Sequence, residues 1–120
     1  MANRRDIKKY VRHTCGSIAG ECILANALVP GIDTEKINHC IVETADLQEA
    51  TLALLSLSFD KAPRDFDSLK EYRRARSAYY KKAFGKLLAS FDERLNEIVG
   101  RMNEALPAAQ REINKKAAEA

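Results

Sequence analysis

The sequence has few residues that interrupt a helix and no segment long and apolar enough to cross a membrane. Only three prolines occur among its 120 residues, and no apolar run reaches the roughly 18 residues that a membrane-spanning helix needs. Residues 1–6 lack the apolar stretch of a secretory signal, so we expect a cytoplasmic protein without membrane contact. A hydrophobic fraction of 46% with 31% charged residues is typical of one globular domain, predicted here over residues 1–120.

The sequence also lacks the motifs of the common catalytic classes. It contains no Gly-rich phosphate loop, no nucleophile–His–acid arrangement, and none of the Glu-x-x-His pairs that a ferritin-like di-iron site requires. We therefore predict that the protein is not an enzyme, and that it has no catalytic residue and no cofactor.

Cysteine is scarce and odd in number. Cys15, Cys22 and Cys40 each lie within an apolar stripe. This placement indicates three free, buried thiols in a reducing cytosol rather than a disulfide scaffold.

Two spacings are compatible with a metal ion. His39, Glu43 and Asp46 share one helical face, and Cys22 and Cys40 fall at one level of the first predicted hairpin, close to His39. A solvated charged face and small core residues explain both patterns more simply. We predict no metal site, and a metal held by Cys22, Cys40 and His39 remains the open alternative.

What the sequence does contain is an apolar residue at nearly every helical turn. From Tyr80 to Ile113 such residues recur every three or four positions. Their mean period of about 3.7 is close to the helical value and far from the period of 2 of a strand. The predicted fold class is therefore all-α, an up-down bundle of three long antiparallel helices at about 3–29, 33–59 and 66–105. The tail 107–120 is predicted to be helical or frayed.

The third helix has an alternative form. Gly85 and the capping-box pattern that begins at Ser90 are compatible with a break there, which would divide the helix and give a four-helix bundle. We favour a continuous helix, because the apolar stripe passes both points without losing phase.

A continuous third helix of about 40 residues is longer than the first two helices, at 1.5 Å per residue. Its distal stripe then lacks a partner within one chain, and self-association is predicted to cover it, most simply in a homodimer. The residues of this predicted interface are Phe91, Leu95, Ile98, Met102 and Leu106. Gly16 and Gly20, on the outer side of the first helix, suggest a second subunit contact.

Four polar residues interrupt apolar faces and form a predicted polar layer. Turns centred at residue 31 and near residue 62 place Gln48 opposite both Thr14 and Arg76, with Arg73 one turn from Arg76. Buried polar groups must pair with one another. Such a layer would set helix register or the choice of partner, although arginines that extend along the core into solvent are the simpler interpretation.

Basic residues are concentrated in two segments. Residues 1–12 have a net charge of +4 and residues 70–86 one of +6, whereas residues 33–67 have −5. In an up-down-up bundle the two basic segments lie at the same end, with tyrosines interleaved, a combination that suits phosphate binding. The alternative interpretation is that Glu43, Asp46 and Glu49 of the second helix neutralise part of this surface. The predicted basic patch consists of Arg4, Arg5, Lys8, Lys81 and Lys82.

Three segments resemble an uncharacterised family of short helical proteins from Bacteroidetes-type bacteria. They are Asn-Arg-Arg-Asp-Ile-Lys-Lys-Tyr at 3–10, the stretch from Cys15-Gly16 to Glu21-Cys22, and Ala-Tyr-Tyr-Lys-Lys at 78–82. The family has no assigned activity. The resemblance therefore implies a cytoplasmic bacterial helical protein and assigns no role to any residue.

Two functional hypotheses follow from the sequence. The first is a non-enzymatic helical bundle that acts through self-association or by binding another protein. The second is a nucleic-acid-binding accessory protein that uses the basic residues of 4–12 and 70–86.

Overall fold

The computed structural model describes residues 3–119, apart from the side chain of Ala109. In this part of the chain, four α-helices and one 3-10 turn occur and no strand is present, which confirms the all-α bundle. The helices are α1 (Arg4–Leu28), α2 (Thr34–Leu54), α3 (Leu69–Glu104) and α4 (Ala108–Glu119), and the 3-10 turn is Pro63–Asp65. None of the described helices combines the length and apolarity needed to cross a bilayer.

Polar side chains begin the three long helices. Asn3, Asp33 and Ser68 each accept a hydrogen bond from the backbone N–H three residues later, the usual arrangement of a helix N-cap. Gly31, with φ of 75°, allows the tight turn between α1 and α2, because a side chain is strained in that conformation. The short turn makes these two helices antiparallel neighbours, and Asn26 of α1 donates to Asn38 of α2.

The core lies between α1, α2 and the part of α3 from Phe84 onward. α2 is packed against both other helices, as its wide apolar face predicts. Every buried residue of α3 lies at or after Phe84. The largest completely buried side chains are Phe91, Ile7, Ile37, Leu47, Leu55 and Val11.

The second helix ends earlier than predicted. α2 stops at Leu54 rather than at residue 59. Ser56 Oγ donates to the carbonyl of Ala53 at 2.7 Å, a local bond that competes with continued helix. The chain then turns, so that Leu55 enters the core and Phe59 packs against the Tyr79 ring.

The third helix is continuous, as we favoured. α3 comprises 36 residues and passes Gly85 and Ser90 without a break. The fourth helix comes from the tail after Pro107, and not from a division near Gly85. The described residues of α4 are almost all exposed.

The register between α2 and α3 differs from the prediction by about four helical turns. The backbone N–H of Asp33 donates to the Ala105 carbonyl at 3.0 Å, and Cys40 contacts the Ile98 carbonyl. The start of α2 therefore lies beside the end of α3. The cause is the connection between the helices: its 14 residues fold along the first turns of α3, whereas the prediction assumed a tight turn near residue 62.

The shifted register buries the stripe that we predicted to be an oligomer interface. Phe91 and Ile98 are 1% and 3% exposed within a single chain, and Leu95 and Leu106 are also buried. Met102 packs against the core, with its sulfur 3.3 Å from that of Cys22. The assignment of this stripe to an interface is wrong for Phe91, Leu95 and Ile98, because α1 and α2 lie beside the C-terminal part of α3 and cover them. Met102 and Leu106 also line a surface groove.

Candidate nucleic-acid interface

The N-terminal part of α3 extends beyond the buried core and is covered by the connection that precedes it. Aromatic rings hold the two together. The Phe59 ring lies 5.3 Å from that of Tyr79, and the Phe66 ring 5.7 Å from that of Tyr72. We call the whole set the aromatic cluster; its members are Phe59, Phe66, Tyr72, Tyr79, Tyr80 and Phe84.

Tyr80 is the residue at which the aromatic cluster meets the basic segments. The guanidinium of Arg76 lies 5.0 Å from its ring centroid, and that of Arg4, from the first turn of α1, lies 5.6 Å away. Both distances are within the range of a cation–π contact. The Phe59 N–H donates to the Tyr80 hydroxyl, and this bond, together with the nearby guanidinium groups, lowers the pKa of Tyr80.

The predicted basic patch is exposed and lies at one end of the bundle. Arg4 donates to the Leu57 carbonyl at 2.8 Å, which fixes the start of α1 beside the connection and Tyr80. Arg5 and Lys8 follow within the next turn of α1, and Lys81 and Lys82 follow Tyr80 on α3. The salt bridges found in residues 3–119 involve Lys36, His39 and Arg101. Within those residues, no cation of 4–12 or 70–86 takes part in one.

A shallow groove of about 460 Å³ lies on the exposed side of α3. Its lining consists of Tyr72, Arg73, Arg76, Ser77 and Tyr80, with no acidic side chain among them. The residues 72, 76 and 80 follow one another at i, i+4 and i+8, so they share one face of the helix. The groove therefore combines two phenol rings, two guanidinium groups and a hydroxyl along two turns of one helix.

The predicted polar layer does not form. Arg73 and Arg76 are exposed and line this groove, whereas Thr14 and Gln48 are half-buried inside the bundle. Among the described side chains, no hydrogen bond joins either arginine to Gln48 or Thr14. The prediction failed because the register shift moves Arg76 about four turns away from Gln48 along the helices.

A second polar groove, of about 510 Å³, lies between α2 and α3. Glu43 pairs with His39, at 2.9 Å, and with Arg101 of α3. Sequence reasoning did not find the contact between Glu43 and Arg101, because the predicted register placed these residues at different levels. Within the described residues, no group of three His, Cys, Asp or Glu side chains is arranged to hold a metal ion.

The three cysteines are free and buried, as predicted. Burial is the main cause that raises the pKa of the Cys22 thiol to about 11, and nearby Cys40 contributes. Metal binding and nucleophilic reactions both need the thiolate, so a raised pKa works against either role.

A separate apolar surface lies at the C-terminal half of α1. Ile23, Leu24 and Leu28 are exposed there, and Leu24 and Leu28 line a groove that also includes Met102 and Leu106. A Cβ atom added at Gly16 or Gly20 would meet nothing within 4 Å. Within the described residues, no other helix therefore packs closely against α1 at either glycine.

The chain matches no protein-family model, no curated protein and no solved structure. The resemblance to the Bacteroidetes-type family therefore stays a prediction, as do the absence of enzymatic activity and the cytoplasmic location.

Proposed function

We propose that this protein binds nucleic acid through its basic end, which was the second of the two hypotheses drawn from the sequence. The observation that supports the proposal is the shared position of Arg4 and Arg76 on the Tyr80 ring. This contact brings two strongly basic segments together, although they are some 70 residues apart in the chain.

The charge of this end favours a polyanion. Segments with net charges of +4 and +6 meet where Arg4 lies over the Tyr80 ring, and in residues 3–119 no salt bridge involves a cation of either segment. A polyphosphate backbone that neutralises these cations releases its condensed counterions, which is the main source of affinity in sequence-independent nucleic-acid binding. The neighbouring aromatic rings offer flat surfaces for bases, as nucleic-acid-binding surfaces commonly do.

The first prediction concerns the five residues of the basic patch. A variant with Arg4, Arg5, Lys8, Lys81 and Lys82 all changed to alanine should bind a mixed 20-base-pair DNA far more weakly at 50 mM salt. The slope of log affinity against log salt should become shallower by up to about 0.9 for each phosphate that the variant no longer neutralises. Fluorescence anisotropy over a range of salt concentrations measures both quantities, and circular dichroism checks the fold.

A matched control variant also loses five positive charges, at positions outside the basic patch. Its five alanine substitutions replace basic residues away from the patch, namely Lys36, Arg94, Arg111, Lys115 and Lys116. The control should keep most of the affinity and most of the salt slope. Equal reductions in both variants would show that only net charge matters. If the unchanged chain binds neither duplex nor single-stranded DNA, the proposal is excluded.

Self-association is the second candidate function, and it now rests on the apolar surface of α1 instead of the buried α3 stripe. Leu28 is 72% exposed, beside Leu24 and the groove that includes Met102. A second copy or another protein that covers this surface would gain about 25 cal/mol for each square ångström of apolar area removed from water.

The prediction for this surface is that the chain forms a dimer, which a substitution at Leu28 should dissociate and a control substitution at Leu54 should not. At tens of micromolar, light scattering should give twice the 13.4 kDa mass of one chain. Leu28→Glu should restore the single-chain mass, because a carboxylate in an apolar contact is costly to bury. Leu54→Glu, at a position that is 61% exposed on another part of the molecule, should leave the dimer intact. A monomeric unchanged chain would contradict self-association.

A further inference from the structure

We infer that the groove of Tyr72, Arg73, Arg76, Ser77 and Tyr80 receives an unpaired base, so that the preferred ligand of the basic end is single-stranded nucleic acid. This inference rests on the proposed function and names its ligand class more narrowly. It concerns Tyr72, Arg73, Arg76 and Ser77, none of which belongs to the basic patch.

The groove is pre-organised by contacts on its far side. The Tyr72 ring packs against Phe66 at 5.7 Å and Phe59 at 6.0 Å. The Tyr80 hydroxyl accepts a hydrogen bond from the Phe59 backbone at 3.1 Å. Both tyrosines are therefore held by the connection while they still border solvent. A ring held in this way loses little side-chain freedom when a base stacks on it.

The two arginines supply complementary features. The guanidinium of Arg76 lies over the Tyr80 ring, 5.0 Å from its centroid, and this planar group is itself a surface on which a base can stack. Arg73 is exposed at the groove, and its guanidinium can donate two parallel hydrogen bonds to two oxygens of one phosphate. A planar group that can stack on a base and a guanidinium that can bind its phosphate thus lie within two turns of one helix.

The shape of the site favours a single strand over a duplex. In a duplex both faces of each base are stacked on neighbouring bases, so an aromatic groove reads only unpaired bases.

The extent of the charge favours a strand over a free nucleotide. The basic segment 70–86 of α3 is about 26 Å long at 1.5 Å per residue. It includes cations on either side of the groove, Lys70 before it and Lys81, Lys82 and Lys86 after it. A mononucleotide contacts only the groove, whereas a strand also neutralises the flanking cations.

The experiment compares ligands at one salt concentration. Anisotropy should show that the unchanged chain binds a 15-nucleotide strand at least about tenfold more tightly than the matching 15-base-pair duplex. Inorganic polyphosphate, which has charge but no bases, and a mononucleotide should both compete poorly. Vesicles containing phosphatidylserine are a further competitor, and they test whether the ligand is an anionic membrane surface.

Variants then separate stacking from charge. Tyr72→Leu should weaken strand binding about 5- to 100-fold, the usual effect of removing one stacking ring, with the salt slope unchanged. Tyr72→Phe keeps the ring and should bind as the unchanged chain does. Arg76→Lys keeps the charge and removes the planar group, so it should weaken strand binding more than duplex binding and thereby reduce the preference for the strand.

The outcomes distinguish this inference from the proposed function. Equal affinity for strand and duplex, with no effect of Tyr72→Leu, overturns the single-strand assignment and leaves nucleic-acid binding in place. Polyphosphate or vesicles that compete as well as the strand also overturn it. If neither strand nor duplex binds at 50 mM salt, both ideas are wrong.

Discussion

Replacement of Phe91 by alanine should lower the free energy of unfolding by about 3–5 kcal/mol, the usual cost when a large aromatic side chain is removed from a core. Phe91 is 1% exposed and forms an edge-to-face contact with Tyr10 at 5.8 Å. The substitution removes that contact and leaves a cavity between α1 and α3 that the surrounding helices can fill only in part. Urea denaturation followed by circular dichroism measures the decrease.

The control for this substitution is Leu54→Ala, at an exposed position of α2. It should change stability by about 0.5 kcal/mol or less, as is usual at the surface. If Phe91→Ala instead left the stability of a single chain unchanged and dissociated an oligomer, Phe91 would belong to an interface between chains and not to the core of one chain.

Proline and alanine at position 85 should change the free energy of unfolding in opposite directions. Gly85→Pro should destabilise the fold by about 3 kcal/mol or more, because proline removes one helical hydrogen bond and clashes with the carbonyl four residues earlier. Gly85→Ala should stabilise it by up to about 1 kcal/mol, since a Cβ atom at this exposed position meets nothing within 4 Å. Both variants can be compared by denaturation and by helical content.

The two substitutions together test the continuity of α3. A helix that ended near Gly85 would tolerate proline there and gain nothing from alanine. Tolerance of proline would thus favour the divided third helix over the continuous one. Gly100, exposed in the same helix and equally open around its Cβ position, provides a second site for the same comparison.

The accuracy of the sequence predictions depended on the length of each connection. Five residues join α1 to α2, and so short a link fixes the level at which the helices pair, as the bond between Asn26 and Asn38 shows. The 14 residues before α3 allow many registers. Aromatic packing between Phe59 and α3 selects the observed register, and such packing has no periodic signature in the sequence.

The candidate site was predictable only in outline. Charge counting and an up-down-up order were enough to place the two basic segments at one end. The contacts of Arg4 and Arg76 with Tyr80 depend on the register of α3 and on the path of the connection. For the same reason, the sequence suggested that Arg76 belonged to a buried layer, whereas the structure places it in an open groove.

The uneven burial of α3 implies two levels of local stability within one helix. Its buried residues all lie from Phe84 onward, and the turns before Phe84 are covered mainly by the aromatic cluster. Segments with few buried contacts open at a lower free energy than the whole domain. The basic end can therefore exchange between ordered and loosened forms while the bundle stays folded, and a ligand that binds only the ordered form would slow the exchange of these backbone amides with solvent.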